Sequence, residues 1–401
     1  MIVSACVLFN AGLAAMNAHV TLTATAVIAC EAVLLTSALS VAFFRASPYS
    51  QKWIALLGIC TALAVVNGLV SGGIDPKFLR DVLVIPVFVL LGLSCSRSDV
   101  VRVVLPLQAI VLGVMIFEAL RPDEFGRIFN VSSFYINTRG LHAEDFWNKS
   151  SDLFVSATRP GERFLLGGLG IHRLSSIFLE PVSLGNYCVV VAIVAASLWS
   201  SFTLPQRVFL VISELMILVG SDGRFASVMI GLIIVFFFLS SSLPHVASWF
   251  YLPGALVLAA LGVSVLGISD TGDDFSGRVA GSVGIISRMS LTDLLGFNTF
   301  SAYRAMDSGI AYFLLSQSLI GVLVVWTFIS LGLPQDDKPS IIATHAVSLY
   351  VTLLLLVSYS LFSVKTAALL WFSYGAIAHP VPRHRRASSL TPSFSPKEQL
   401  A

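Results

Sequence analysis

Charged side chains lie near or within the long apolar runs of this sequence, and arginine is the commonest of them. A charge next to hydrocarbon is costly and usually faces a cavity or a partner. A guanidinium stays charged at any relevant pH and grips phosphate oxygens through two parallel hydrogen bonds. The set therefore favours a site for phosphate or pyrophosphate, with the candidates Arg80, Asp81, Arg173, Glu180, Asp222, Arg224, Arg278, Arg288, Arg304, Asp307 and Lys365.

The same charges also have simpler explanations. A single arginine can extend its charged end to the lipid headgroups while its apolar stem stays in the membrane. Nearby charges can form ion pairs, such as Arg173 with Glu180 or Asp222 with Arg224. One arginine alone is therefore weak evidence, whereas the whole set on one membrane face favours an anion site.

Two carboxylates, Glu31 and Glu214, stand alone within apolar runs. Each either relays protons, as in a transporter, or accepts a hydrogen bond from a neighbouring helix. The sequence leaves both interpretations open, although the hydrogen-bonded one is the simpler.

The sequence predicts neither a metal site nor a cofactor. Asp270, Asp273 and Asp274 form an acidic cluster, but their spacing matches no calcium-binding loop. His142 and His172 have no partners at metal-ligand spacing, so we interpret them as ordinary polar or interfacial residues. No motif for nucleic-acid binding is present either.

The elements that must position these charges are apolar runs of membrane-spanning length. Charged residues make up 11% of the chain and hydrophobic residues 56%, which leaves too few solvating groups for a soluble protein of 401 residues. A stretch of about 20 apolar residues around 228–239 is long enough to cross a hydrocarbon core roughly 30 Å thick. All five cysteines fall in such runs, so no disulfide framework is expected. The pattern predicts an all-α integral membrane protein.

The runs predict about twelve transmembrane helices, at residues 2–17, 20–44, 53–72, 79–96, 100–120, 182–200, 207–221, 223–242, 247–267, 309–333, 340–359 and 364–379. They divide the chain into a five-span N-terminal bundle (1–120), a long loop (121–181), spans six to nine (182–267), a second long loop (268–308), C-terminal spans (309–379) and a basic tail (380–401).

The basic tail predicts the orientation. Short cytoplasmic segments are rich in lysine and arginine, so the tail is expected in the cytoplasm. Counting back through twelve spans then puts both termini in the cytoplasm and both long loops on the opposite face. The short-loop charges that agree are Arg45, Lys52, Arg97, Arg102, Arg207 and Lys338.

The first long loop carries aromatic residues among its charges, so we expect it to pack on the bundle rather than act as a linker. Glycines at 167, 168 and 170 indicate a turn near its end. If residues 173–180 are helical, Arg173 and Glu180 lie seven positions apart and on one face. Pro181 then marks a break before the next span.

Three stretches resemble bacterial polysaccharide polymerases of the Wzy type, in the O-antigen ligase and polymerase superfamily. Residues 173–187 read RLSSIFLEPVSLGNY, similar to the family's segment with an arginine, a small polar residue, a phenylalanine and a Glu-Pro or similar pair. Residues 220–232 read GSDGRFASVMIGL, similar to its span that begins with Ser-x-x-Arg or Ser-Arg. Residues 277–321, with GR, LLGFNTF and DSGIAYFLLSQSLIGVL, resemble its second long loop and following span.

The resemblance covers roughly residues 170–330, and its specificity comes from the order and spacing of the three motifs. It implies the C-type architecture of membrane glycosyltransferases and metal-independent transfer at the periplasmic face of the bacterial inner membrane. The implied substrates are undecaprenyl-pyrophosphate-linked oligosaccharides, as donor and as acceptor, for O-antigen or exopolysaccharide synthesis. Chain-length regulator and flippase proteins are the implied protein partners.

The resemblance and the residues together suggest roles. Fixed positive charge stabilises the negative charge that develops on a leaving pyrophosphate. The pyrophosphate-binding candidates are therefore Arg173, Arg224, Arg278 and Arg288. An acceptor hydroxyl needs a carboxylate to take its proton, so the catalytic candidates are Glu180 and, as an alternative, Asp307.

Three other functions stay open. O-antigen ligases are related, but they carry a histidine near the point where this chain has residues 304–307. A flippase or transporter of lipid-linked sugars could use Glu31 or Glu214 for proton coupling, although the sequence has no visible inverted repeats. A structural membrane subunit is the third alternative, and the charged loops on one face argue against it.

Overall fold

The computed structural model describes residues 1–45, 49–146, 152–158, 163–165, 171–239, 242–269, 275–305 and 307–378. Within this part of the chain every regular element is helical and no β-strand occurs. The prediction of an all-α protein is therefore confirmed for the described residues.

Sixteen α-helices run through the described residues in chain order: α1 (Ile2–Asn17), α2 (Ala24–Phe44), α3 (Ser50–Val70), α4 (Pro76–Leu93), α5 (Arg97–Leu120), α6 (Pro122–Phe129), α7 (Val131–Arg139), α8 (Pro181–Ser197), α9 (Leu204–Ser221), α10 (Arg224–Leu239), α11 (Tyr251–Leu266), α12 (Phe275–Ser287), α13 (Leu291–Leu294), α14 (Gly309–Leu331), α15 (Lys338–Val357) and α16 (Val364–Ala378). Short 3-10 helices occur at Ala143–Asp145, Val155–Ala157, Ser176–Phe178, Trp199–Ser201, His245–Phe250, Thr299–Ala305 and Ser360–Phe362.

Seven helices in the described part of the chain are long and apolar enough to cross a membrane. They are α2, α3, α5, α9, α14, α15 and the continuous stretch His245–Leu266 that contains α11. Shorter apolar helices are α1, α8, α10 and α16. This composition identifies a multi-pass membrane protein. A helix overlaps each of the twelve stretches expected to span, but the number of spans stays a prediction.

Local sequence signals set the starts of several helices. The Asp75 side chain accepts a hydrogen bond from the Lys77 N–H at the start of α4, and Ser308 does the same for Ala311 at the start of α14. Pro181 occupies the first position of α8, where its missing N–H costs no helical hydrogen bond. The expected break before this span is thus the start of α8 itself.

The centre of the bundle is α16, in which every residue from Val364 to Ala378 is buried. Its closest neighbour is α4, and glycines allow the two backbones to approach. A Cβ atom built on Gly375 would overlap the carbonyl oxygen of Val89, and one on Gly92 would overlap the carbonyl oxygen of Phe372. Small residues at a crossing are typical of membrane helices, because packing rather than hydrophobic exclusion holds such helices together.

Both long inter-helix segments contact the same end of the bundle. In the first segment, Asn137 Nδ2 donates to Asn17 Oδ1 at the end of α1, over 3.2 Å. In the second segment, the Thr299 N–H donates to Ser71 Oγ just after α3, over 3.1 Å. We call the end that contains Asn17, Ser71 and Glu180 the loop end. At the opposite end, Arg97 joins α15 and α16 through Asp337 and the carbonyl of Ile377.

The first segment packs as expected from its aromatic residues. It forms a small apolar core against α1, and the buried members are Leu13, Ala14, Phe125, Val131, Phe134, Tyr135, Leu153, Ala157 and Leu179. The segment is therefore a folded cap on the loop end.

We predict that Gly375→Ala lowers the free energy of unfolding by about 1–3 kcal/mol or more, because the added methyl meets backbone that cannot move aside. Thermal unfolding of the purified protein in detergent measures the effect. The matched control is Gly231→Ala in α10, where an added Cβ meets nothing within 4 Å. It should leave stability unchanged or slightly raised. Equal behaviour of the two variants would contradict the close crossing of α4 and α16.

Candidate functional site

Glu180 lies between two cations at the loop end, immediately before α8. Arg139 Nη1 is 2.7 Å from its Oε1, and Lys365 Nζ is 3.0 Å from its Oε2. Ser183 Oγ also donates to Oε2, over 2.6 Å. We call Glu180, Arg139 and Lys365 the Glu180 cluster. Its members come from three distant parts of the chain: α7, the start of α8 and the first turn of the central helix α16.

The Lys365 and Glu180 side chains are largely removed from solvent, at 1% and 13% exposure, whereas that of Arg139 is 42% exposed. Lys365 Nζ donates a second hydrogen bond to the Phe178 carbonyl, over 3.0 Å. The Arg139 guanidinium lies 4.6 Å from the ring centroid of Tyr135, one helical turn earlier in α7. The two cations are therefore held in place by further contacts besides Glu180.

The cluster keeps Glu180 ionised. Burial alone would raise the pKa of its carboxyl group, but Arg139 and Lys365 hold that pKa well below its usual range. Both carboxylate oxygens already accept hydrogen bonds. A carboxylate stabilised in this way takes a proton poorly, so the geometry argues against the expected role of Glu180 as the base. It favours a positioning role instead.

A second buried carboxylate, Glu118 at the end of α5, shapes the segment before Glu180. It accepts hydrogen bonds from the backbone N–H groups of Ser175 and Ser176, at 2.9 and 2.6 Å. The Ser175 hydroxyl and His172 Nε2 also contact it, at 3.0 and 3.1 Å. Backbone donors that bond a side chain in this way are not available for a regular helix.

Residues 173–180 are therefore not α-helical. Only Ser176–Phe178 forms a 3-10 turn, and Leu179 has a positive φ of 62°. Arg173 and Glu180 consequently do not share a helical face. Glu180 pairs with the two cations of its cluster, whereas Arg173 turns toward the end of α9.

Arg173 and Arg224 flank the turn between α9 and α10. Arg173 Nε lies 3.3 Å from the Ser221 carbonyl oxygen and 4.0 Å from Asp222 Oδ2. Arg224 follows two residues later; its side chain is exposed, with the guanidinium 5.5 Å from the Phe164 ring centroid. The structure thus pairs Asp222 with Arg173 and leaves Arg224 at the surface.

Asp222 orders this turn. It ends α9 with a φ of 52°, and its carboxylate accepts the N–H groups of Leu165 and Phe164 at 2.7 and 3.1 Å. These bonds tie the first segment to the start of α10. As a result, Arg173 and Arg224 lie on either side of one fixed turn.

The remaining site candidates belong to the second segment. Arg278 Nη1 is 3.3 Å from the Val357 carbonyl oxygen at the end of α15. Asp307 is exposed directly before α14, whose Gly309 packs against Ser358 just beyond the same end of α15. Arg288 is exposed at the end of α12. Arg278 and Asp307 therefore lie at one end of α15, and Arg288 is the most peripheral candidate.

The carboxylates inside apolar runs have partners. Glu31 forms an ion pair with Arg80, which also contacts Asp81 at 2.5 Å. Glu214 accepts hydrogen bonds from Gln108 Nε2 at 2.9 Å and from Cys188 Sγ at 2.5 Å. The interpretation that each is bonded to a neighbouring helix is confirmed.

Sequence reasoning did not identify Arg139 and Glu118. Arg139 had a usable signal, because Tyr135 precedes it by one helical turn and can stack on its guanidinium. Glu118 is the single carboxylate in the α5 apolar run, a position that usually has a function. Neither signal names Glu180 or Ser175 as the partner.

Some predicted features lie outside the described residues: the acidic cluster Asp270, Asp273 and Asp274, the glycines at 167, 168 and 170, and the tail from residue 380. Among the described residues, no three His, Cys, Asp or Glu side chains come together as a metal site. All five cysteines are free thiols.

Comparison of the chain with models of protein families, with curated proteins and with solved structures finds no match.

We predict that Glu180→Gln destabilises the protein by about 3–5 kcal/mol, because it leaves the buried Lys365 ammonium without its counter-charge. Thermal unfolding in detergent measures the loss. The control is Glu124→Gln in the exposed pair with Arg121, where about 0.5 kcal/mol or less is expected.

Combining Glu180→Gln with Lys365→Met should restore part of the stability, because it removes the buried charge that the first substitution leaves unpaired. Two results would contradict a buried ion-paired cluster. One is a loss in Glu180→Gln as small as in the exposed control. The other is a loss in the double variant equal to the sum of the losses in Glu180→Gln and Lys365→Met.

Proposed function

We propose that this protein is a membrane glycosyltransferase of the polysaccharide polymerase type, similar to the Wzy proteins. It joins lipid-linked oligosaccharide repeat units into a surface polysaccharide. The donor and the acceptor are undecaprenyl-pyrophosphate-linked oligosaccharides, and no metal ion takes part. Transfer takes place at the loop end.

One observation carries the proposal: the three stretches that resemble such polymerases, far apart in sequence, all lie at the loop end. The first two touch directly, because the Leu174 N–H donates to the Gly220 carbonyl over 2.9 Å. The third contains Tyr312, whose ring centroid lies 5.6 Å from that of Tyr359. Tyr359 lies six residues before Lys365, the buried partner of Glu180. Motifs that share a site are expected to converge in this way.

Arg173 and Arg224 have suitable chemistry for the leaving pyrophosphate. As the bond between the anomeric carbon and the pyrophosphate oxygen breaks, negative charge grows on that oxygen. Cations already fixed in place stabilise this charge without reorganisation. Asp222 and the Ser221 carbonyl hold Arg173, while Arg224 stays accessible at the same turn. Arg278 and the more peripheral Arg288 would serve the second lipid-linked substrate.

Asp307 is the better candidate for the base. The acceptor hydroxyl attacks the anomeric carbon and must give its proton to a nearby group. Asp307 is exposed at the start of α14, whereas both oxygens of Glu180 are already engaged by cations and Ser183. We therefore assign proton transfer to Asp307. Glu180 is assigned the positioning of α7 and α16 around the site.

The proposal includes an orientation in the bacterial inner membrane, with the loop end in the periplasm and both termini in the cytoplasm. We predict that cysteine at position 291 reacts with a membrane-impermeant maleimide in intact spheroplasts, with the native cysteines replaced. Cysteine at 204 should react only after permeabilisation. Leu291 and Leu204 are both 71% exposed but lie at opposite ends of the bundle. The reverse labelling pattern would contradict the orientation.

The proposed activity predicts chain lengthening by the purified protein supplied only with lipid-linked repeat units, in EDTA and without nucleotides. Gel electrophoresis of the labelled saccharides would show products with two or more units. Transport of the substrate across a vesicle membrane without lengthening would instead support a flippase. Transfer to an outer-core acceptor without lengthening would support a ligase.

Substitutions test the assigned roles. Asp307→Asn should lower turnover by roughly 10²–10⁴-fold, while the exposed Asp123→Asn should have no effect. Arg224→Lys keeps the charge but loses the bidentate pair of hydrogen bonds to the phosphate oxygens, so the rate should fall about 10- to 100-fold. Its control, Arg102→Lys at the opposite end, should behave like the parent protein. Normal turnover in Asp307→Asn would exclude Asp307 as the base.

A further inference from the structure

The second inter-helix segment presents two exposed aromatic rings at the loop end. Phe300 and Tyr303 belong to the 3-10 helix Thr299–Ala305 and are 46% and 42% exposed. With about three residues per turn, such a helix stacks these two side chains along one face. Both rings pack against the buried ring of Phe78, at centroid distances of 6.4 and 5.3 Å. The rings are therefore held in place while much of their surface stays open.

Charged groups border these rings. The Tyr303 hydroxyl donates to the Asp75 carboxylate, which also accepts the Lys77 N–H at 2.8 Å. The Lys77 ammonium lies 4.8 Å from the ring centroid of Tyr303 and 5.2 Å from that of Tyr312. A carboxylate and an ammonium group thus lie at the inner edge of an open aromatic surface.

Behind the exposed pair, the packed rings continue into the buried core, where Phe78 is 4% and Tyr312 0% exposed. Phe78 also packs against Tyr312, whose ring meets Tyr359. Tyr359 precedes Lys365 of the Glu180 cluster by six residues. A row of packed rings therefore supports exposed Phe300 and Tyr303 from the interior of the loop end.

We propose that Phe300 and Tyr303 form a saccharide platform, which binds the oligosaccharide of a lipid-linked substrate and holds it close to Asp307, four residues beyond Tyr303 in the chain. The inference rests on the proposed function and adds a subsite to it. A pyranose ring has an apolar C–H face that can stack on an aromatic ring, and its hydroxyl edge can bond Asp75 and Lys77. Exposed aromatic residues also anchor proteins at the membrane interface. An anchor, however, needs no carboxylate and ammonium group at its inner edge.

The test uses the full-length protein in nanodiscs and the lipid-free oligosaccharide released from the repeat unit by mild acid. Calorimetry measures its affinity. Phe300→Ala and Tyr303→Ala should each weaken binding about tenfold, whereas Tyr303→Phe keeps the ring and should weaken it less. Phe250→Ala, an exposed ring at the opposite end, is the control and should bind normally. If an alanine variant of Phe300 does not fold, Phe300→Leu replaces it.

The outcomes separate the platform from the polymerase. Binding that depends on both rings supports the platform even if no chain lengthening occurs, in which case only the polymerase is rejected. The platform is overturned if the ring variants bind the oligosaccharide normally. It is also overturned if the parent protein binds no oligosaccharide up to about 10 mM, which corresponds to a binding free energy weaker than roughly 3 kcal/mol. If the ring variants bind normally but are less stable to heat in nanodiscs and not in detergent, the rings are membrane anchors. This result would also overturn the platform.

Discussion

The ion pairs of Glu180 with Arg139 and Lys365 are the interaction on which the loop end depends. They join the folded cap of the first segment, the start of α8 and the central helix α16. Removing Glu180 would leave the Lys365 ammonium uncompensated in a buried position, which costs several kcal/mol. The cap is therefore tied to the bundle at its centre, and the geometry around the cluster depends on these charges staying paired.

Two other carboxylates extend this constraint to the proposed pyrophosphate site. Glu118 binds backbone N–H groups just before Glu180, and Asp222 binds those of the first segment at the turn that carries Arg224. Each uses charge to hold backbone rather than to perform chemistry. The consequence is a fixed turn, which holds Arg173 through Asp222 and carries Arg224 at its surface. Such preorganisation is what stabilisation of a leaving pyrophosphate requires.

The helical membrane fold could be predicted from the sequence, because apolar runs of about 20 residues have few alternatives in lipid. The site could be predicted only in part. Spacing places Arg173 and Glu180 on one face only if that segment is helical, and spacing does not reveal that Glu118, more than 50 residues earlier, takes the backbone donors of the segment. The partnership of Glu180 with Lys365 spans nearly half the chain and has no local signature. Long-range ion pairs of this kind follow from packing, which single-sequence patterns do not contain.

The central claim is that sugar transfer at the loop end releases pyrophosphate-linked lipid. The most direct measurement is ³¹P NMR of the purified protein with lipid-linked repeat units in EDTA, combined with counting of the new glycosidic bonds. The account predicts one free undecaprenyl pyrophosphate for each bond formed, and loss of both signals in Arg224→Ala. Substrate that stays intact in the presence of folded protein, or lengthening without release of undecaprenyl pyrophosphate, would contradict it.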